Sequence, residues 1–347
     1  MFKHLLFVLF LFFFSLSSSG IESVYETNFF NINIENETIS DAKNKKIDEI
    51  KTLTLKNIFK KILTKDNYNK VKRLEIYNDN INFFIKNIII ENEFISSNKY
   101  YADLKVNLDN KEIISFLRNN KINYTDFESP NILIIASEKN KIYQSALSKN
   151  NNFYKNVTLN KYGIINIIYP DLSLNDRFIA PYKKIINNDI KTLQKLTKKY
   201  QTNYILIINL DILNNTNKFD ISIFSSLNND IQFIESLFLD SNIVYQNEIF
   251  DLVDNWWKIK NQINNSQINK ILCLINSSNI YEIKKINSKI NSISQIKSNI
   301  LNRIQYGKNY NELIFYGSLK NLSTKLLIDN INIIINKNNK CIIDIIN

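Results

Sequence analysis

The sequence has little of the residues on which most enzyme sites depend. Its 347 residues include one histidine, His4, with four glycines, three prolines and two cysteines. Ser-His-Asp and Cys-His catalysis need an imidazole, as do the common zinc sites, so nothing beyond His4 can support them. The four scattered glycines also exclude a glycine-rich phosphate-binding loop. We therefore expect no cofactor and no metal centre of these kinds.

The first 20 residues have the three parts of a secretory signal peptide. Lys3 supplies a short positive start, residues 5–16 form an almost unbroken apolar core, and small residues follow at 17–20. This core is shorter than the ~20 apolar residues with which a helix spans a bilayer. We predict a cleaved signal and a periplasmic location. An inner-membrane anchor formed by residues 5–16 is the alternative.

The composition is rich in Asn, Ile and Lys, and the formal net charge is +11. A basic protein can bind nucleic acid or an anionic membrane surface. The basic residues are spread along the chain, and the local clusters at 43–46 and 56–61 fall on predicted amphipathic helices, where a solvated face accounts for them. Because an exported protein rarely meets nucleic acid, we expect no such partner. Weak contact with anionic lipid headgroups stays open.

The pattern of apolar residues predicts an α+β or α/β fold, with the signal peptide followed by three small mixed domains. The hydrophobic fraction of 44% is ample for packed cores. The predicted boundaries are a signal peptide at 1–20, an N-terminal α+β domain at 21–127, an α/β middle domain at 128–240 and a C-terminal α+β domain at 241–347.

The predicted N-terminal domain contains a long helix and a half-buried strand. Apolar residues recur with helical spacing between residues 40 and 64. In the segment 100–109, Ala102, Leu104 and Val106 alternate with polar residues, which is typical of a strand with one buried face. Asp109 then provides an N-cap for a further helix.

The predicted middle domain has a partly parallel sheet. Three apolar runs, at 131–136, 164–169 and 204–210, have the composition of strands that are buried on both faces. A predicted helix at 189–200 connects two of them, and alternating strands and helices favour parallel pairing. Segments 221–224 and 233–239 are predicted to complete the sheet as antiparallel strands.

The predicted C-terminal domain begins with a helix at 243–263. We expect a strand at 283–286, then a helix capped by Ser292 or Ser294 that carries apolar residues as far as residue 304. Further predicted elements are a strand at 313–316, a helix after residue 317, and a final hairpin of strands 331–335 and 341–346.

Two carboxylates are the candidate chemical groups. Asp171 and Asp176 follow the predicted strand at 164–169, and α/β folds bind ligands beyond the ends of such strands. Paired carboxylates can perform acid–base chemistry or hold a divalent cation. The alternative is turn chemistry, because Asp and Asn after a proline stabilise turns through their own backbone.

Two tryptophans and two cysteines are the remaining candidates. Trp256 and Trp257 can form a binding platform, although one of them is expected in the core, since a helix rarely buries two adjacent residues equally. Cys273 and Cys341 each lie in a predicted strand. They are either buried thiols or the two ends of a single disulfide, which an oxidising compartment permits.

The chain resembles the exported proteobacterial family called domain of unknown function 2066. The resemblance runs over nearly all of the chain beyond the signal. Its motifs in the first half of the chain are the strand 100–109 and the segment 122–124, which is followed by Ser129-Pro130 and the predicted strand 131–136. Those in the second half are Tyr169-Pro-Asp171 with Asp176, and Phe315-Tyr-Gly317 before a leucine-rich helix. Members usually have more Gly, Pro and Trp. The resemblance implies an envelope location and supplies no catalytic residues.

From these features we expect a non-catalytic periplasmic protein with a binding or assembly role and an envelope protein as its partner. A carboxylate-dependent hydrolase or metal-binding protein that uses Asp171 and Asp176 is the alternative. A third reading is an outer-membrane-associated component that pairs through an exposed sheet edge.

Overall fold

The computed structural model describes residues 24–35, 38–74, 81–138, 146–149, 151–155, 159–213, 216–240, 245–277, 279–305, 308–328, 330–335 and 341–345. The predicted signal peptide and the alternative anchor lie outside these ranges. Among the helices within them, none combines the length and the apolar character needed to cross a membrane. The fold is α+β, as the sequence predicts, with helices packed on three sheets, of which one is antiparallel and two are mixed.

The first unit is built on a three-stranded antiparallel sheet in the order β1-β3-β2. The predicted alternation is confirmed, because Ala102, Leu104 and Val106 are fully buried. Asp109 accepts hydrogen bonds from the backbone N–H groups of Lys111 and Glu112 and so caps the next helix, also as predicted. The elements are β1 (Phe30–Glu35), α1 (Ile39–Ile62), α2 (Lys65–Lys72), a 3-10 helix (Ile81–Phe84), β2 (Ile85–Ile95), β3 (Lys99–Leu108) and α3 (Asn110–Asn119).

The second unit is a six-stranded sheet in the order β5-β6-β4-β7-β8-β9. Strand β4 pairs in parallel with both β6 and β7, and the other pairs are antiparallel, so the predicted partly parallel sheet is confirmed. The elements are β4 (Asn131–Glu138), α4 (Asn152–Lys155), β5 (Lys161–Tyr162), β6 (Ile165–Ile168), α5 (Leu174–Ile179), α6 (Tyr182–Ile186), α7 (Ile190–Lys199), β7 (Tyr204–Ile212), β8 (Thr216–Ser225) and β9 (Asp230–Asp240).

The third unit is a five-stranded sheet in the order β11-β12-β10-β14-β13. The predicted final hairpin is confirmed, because β13 and β14 pair antiparallel, and β14 also pairs in parallel with β10. Helix α8 (Gln246–Asn261) precedes this unit in sequence. The elements of the unit are β10 (Ile268–Asn276), α9 (Ile280–Ser292), β11 (Ile296–Gln305), β12 (Lys308–Tyr316), α10 (Leu319–Ile328), β13 (Ile331–Ile335) and β14 (Cys341–Ile345).

Two predicted elements of the third unit are wrong. The expected strand at 283–286 belongs to helix α9, in which Ile286 and Ile290 form the buried stripe. The expected helix after Ser292 or Ser294 is instead strand β11. The spacing of four between Ile296, Ile300 and Ile304 fits a helix, but four is also a multiple of the strand period of two. Pairing with β12 decides the outcome.

Helix α8 does not pack with the third sheet. Its apolar residues Phe250, Val253 and Trp257 lie in a large core shared by the first and second units. The third sheet has a separate core that includes Cys273 and Leu313. Helix α8 therefore follows the second sheet in sequence and packs against it in space.

Candidate functional site

Asp171 and Asp176 lie close together beyond the end of β6, but a lysine holds both. The Nζ of Lys199 is 2.6 Å from Oδ1 of Asp176 and 3.2 Å from Oδ2 of Asp171. Asp176 is fully buried and forms a capping box with Ser173 at the start of α5. The side chain of Asp171 is 64% exposed. The two aspartates therefore stabilise a turn, which is the alternative to acid–base chemistry that the sequence leaves open.

The environment of Asp176 keeps its carboxyl group ionised. Burial alone would raise its pKa, but hydrogen bonds from Lys199, the Tyr200 hydroxyl and the Ser173 amide lower it below the usual value. Both carboxylate oxygens therefore accept hydrogen bonds within the protein. Within the described residues, no group of three or more His, Cys, Asp or Glu side chains is placed to hold a metal ion.

Both tryptophans of α8 are buried, contrary to the expectation of unequal burial. Trp257 is inaccessible and Trp256 is 8% exposed. Trp257 lies edge-on to Phe127 and Tyr204, with ring centroids 6.1 Å and 5.7 Å apart. Lys260 covers Trp256, with its Nζ 4.6 Å from the ring centroid. The two rings are therefore packing residues, and neither presents an open face to a ligand.

Cys273 and Cys341 form a disulfide, the second of the two alternatives that the sequence leaves open. The two residues are directly opposite each other in the parallel pair β10–β14, and both are buried. The bond joins segments that are 68 residues apart in sequence. It therefore fastens the last described strand to the centre of the third sheet.

A cleft that no sequence pattern indicates lies where the three units meet. We call it the central cleft, and its volume is about 990 Å³. Its walls come from α3 of the first unit, residues 126–129, and residues 291–296 with α10 of the third unit. Because each unit supplies part of the wall, the cleft exists only in the assembled chain.

Arg118 is the most distinctive residue of the central cleft. Its guanidinium carbon lies 4.1 Å from the centroid of the Tyr316 ring, and its Nη2 donates hydrogen bonds to the carbonyl oxygen of Ser294 and to the Tyr124 hydroxyl. Its Nε is buried and has no hydrogen-bond partner among the described residues. Within the same part of the chain, no carboxylate forms an ion pair with it. Arg118 is thus held in place with part of its donor capacity unused.

The charges around Arg118 make the central cleft favourable for an anion. Lys111 and Lys325 also line it, and the opposing carboxylates are Asp126 and Glu128. Glu128 is already neutralised, because Lys161 lies 2.8 Å from its Oε1. Burial raises the pKa of Asp126, although Lys325 and Arg118 act in the opposite direction. The cleft therefore has three cationic groups and two carboxylates, of which one is paired with Lys161.

Sequence reasoning missed the central cleft for a physical reason. Arg118 and Ser294 are separated by 176 residues, and periodicity within a window carries no information about contacts at that distance. The only local signal is the stretch 118–130, which spans the predicted domain boundary after residue 127 and contains Tyr124 and Asp126.

Comparisons of the chain with protein-family models, with curated proteins and with solved structures gave no match. The resemblance to domain of unknown function 2066 therefore stays a prediction from the sequence.

Proposed function

We propose that this chain is an exported, non-catalytic protein of the bacterial envelope that binds a partner in the central cleft. The partner is a segment of another envelope protein that carries a carboxylate. The observation that supports this function is Arg118, which is held by Tyr316 and Ser294, lies in the wall of the cleft and has no carboxylate partner in the described chain.

The chemistry of Arg118 supports an anionic ligand. A guanidinium group presents a fixed fork of donors that matches a carboxylate, and hydrogen bonds between charged groups are about twice as strong as neutral ones. The stack on Tyr316 restricts the side chain before any ligand arrives, so less conformational entropy is lost on binding. The half-buried side chains of Ile296 and Ile328 supply apolar surface in the same cleft.

The disulfide supports the export of the chain. Disulfides form and persist in oxidising compartments such as the bacterial periplasm and are rare in the cytoplasm. The buried bond between Cys273 and Cys341 therefore agrees with the signal peptide predicted at 1–20.

The carboxylate-dependent alternative receives less support from the geometry. A general acid or base needs a pKa near the working pH and access to the substrate. Asp176 has a lowered pKa and is buried, and Lys199 already bridges it to Asp171. These contacts account for both residues without a substrate.

The test places a photoreactive amino acid at Ser115, an exposed residue that lines the central cleft. The full sequence is expressed in intact cells, the cells are irradiated, and the periplasmic and cytoplasmic fractions are separated. We expect a discrete crosslinked adduct in the periplasmic fraction. The matched control carries the same amino acid at Ser97, which is exposed between β2 and β3 and outside the cleft.

Two results would contradict different parts of the proposal. Retention of the chain in the cytoplasmic fraction would contradict export. An exported chain that gives no adduct at Ser115, or an equal adduct at Ser97, would contradict binding in the central cleft.

A further inference from the structure

Two long strands lie at the free edges of different sheets. Strand β9 has 11 residues and pairs only with β8, and β11 has 10 residues and pairs only with β12, within the described part of the chain. An edge strand presents unpaired N–H and C=O groups and is a template for another strand. The two strands therefore offer surfaces of nearly equal length for pairing between chains.

Both edges expose large apolar side chains. On β9, Phe233 and Phe238 are 58% and 61% exposed. On β11, Ile300, Leu301 and Ile304 are 52%, 52% and 68% exposed. Natural proteins usually shorten, charge or cover such edges. These two edge strands are long and combine exposed apolar side chains with charged ones.

The charges on the two edges are of opposite sign. Strand β9 carries Asp230, Glu235 and Asp240 and no basic residue, whereas β11 carries Lys297 and Arg303 and no acidic residue. No ion pair of the described residues involves any of these five side chains. Opposite charges across a strand pair stabilise it, and like charges destabilise it. Two β9 strands therefore repel each other, as do two β11 strands, whereas β9 and β11 attract each other.

The backbone of β9 is regular where these groups lie. Its pairing with β8 contains an irregularity between Ile221 and Ser222, but the register from Glu235 to Asp240 is uninterrupted. This stretch contains two of the three carboxylates and the exposed ring of Phe238. It can therefore accept a further strand over several consecutive residues. Strand β11 is irregular between Ile296 and Ser298 and between Leu301 and Arg303, so its uninterrupted stretch is 298–301.

We propose that this chain binds a second copy of itself by pairing strand β9 of one copy with strand β11 of the next. The contact uses two different surfaces, so each copy keeps one free edge after the first pairing. Such head-to-tail contacts close into a ring or continue as a filament, according to the rotation between copies. The proposal rests on β9 and β11 alone and does not require a ligand in the central cleft.

The test is sedimentation velocity of the purified chain over a range of protein concentrations at low salt. We expect species larger than the monomer to increase with concentration and to decrease at 1 M salt, where the Debye length falls to about 3 Å. Two charge-reversal variants follow, an acidic-edge variant with Glu235→Lys and Asp240→Lys and a basic-edge variant with Lys297→Glu and Arg303→Glu. Each variant alone should associate at least tenfold more weakly than the parent chain, because both of its edges then carry the same sign.

A mixture of the two variants tests whether the charges act between chains, and the separate variants test which edges pair. In an equimolar mixture the basic β9 of one variant meets the acidic β11 of the other, so association should return. The matched control reverses Lys284 and Lys285 to Glu on the exposed face of α9 and should associate like the parent. Circular dichroism confirms that each variant is folded.

Three outcomes would overturn the proposal. They are a parent chain that stays monomeric at all concentrations, folded edge variants that associate like the parent, and a mixture that remains monomeric. Stronger self-association of the acidic-edge variant would indicate pairing of two β9 strands and would equally overturn it.

Discussion

At the residue scale, the buried charges of Asp254 and Lys258 are satisfied by each other and by backbone groups from distant parts of the chain. Asp254 and Lys258 of α8 form an ion pair of 2.5 Å, and Lys258 also donates to the carbonyl oxygen of Lys60 at 2.6 Å. Asp254 in turn accepts from the backbone N–H of Ile164. A Cβ on Gly163, whose φ is +58°, would lie 2.2 Å from Oδ1 of Asp254. Because it has no Cβ, Gly163 allows the buried carboxylate of Asp254 to approach the backbone.

The replacement Lys258→Met should destabilise the fold by about 3–5 kcal/mol, because it leaves the carboxylate of Asp254 buried without its counter-ion. Urea unfolding measures the change in the free energy of unfolding. The double variant Asp254→Asn with Lys258→Met removes both charges and should be more stable than Lys258→Met alone. An equal loss in both would show that packing, and not charge, explains the effect.

The replacement Asp176→Asn should cost about 1.5–3 kcal/mol at neutral pH, the contribution of a hydrogen bond to a charged group. Because the pKa of Asp176 is lowered in the folded state, its stabilisation is present above the unfolded pKa of about 3.9 and is lost as the pH falls through the folded value. The difference between variant and parent in urea unfolding should therefore shrink below about pH 4. Asp171→Asn is the matched control. It is exposed and should cost less than about 1 kcal/mol, so a larger loss there would contradict the assigned roles.

At the element scale, periodicity predicts most of the strands and helices but cannot separate two cases in the third unit. The strand with Ala102, Leu104 and Val106 was predictable because its alternation has only one interpretation. The isoleucine spacing in α9 and β11 has two interpretations, since the composition supplies Ile in both helices and strands. Hydrogen bonding between β11 and β12 selects the strand, and that pairing depends on the rest of the fold.

The disulfide between Cys273 and Cys341 is a covalent crosslink between two strands of the third sheet. By loop-closure entropy, a bond across 68 residues should stabilise the chain by about 4 kcal/mol. We therefore expect the midpoint of urea unfolding to fall when a reducing agent is added. A variant with Cys273→Ala and Cys341→Ala should start from the lower midpoint and show no response to the reductant. A parent chain that is unaffected by reduction would contradict this role.

At the scale of the whole molecule, the units assemble into features that none of them has alone. Helix α8 packs in the core of the first and second units, although the sequence places it in the predicted C-terminal domain. The central cleft likewise combines α3, residues 126–129 and residues 291–296. The sequence therefore predicted most of the local elements and the class of fold. It could not predict the cleft, because the contacts of Arg118 join residues far apart in the chain.

The binding of a partner through Arg118 is tested most directly by the yield of the Ser115 crosslink in cells that carry Arg118→Met. Loss of a charged hydrogen bond of about 1.5–3 kcal/mol should lower the yield at least tenfold, because about 1.4 kcal/mol corresponds to one factor of ten. Arg118→Lys keeps the charge and should retain part of the yield, and thermal unfolding confirms that both variants are folded. An undiminished adduct in folded Arg118→Met would contradict the proposed role of the central cleft.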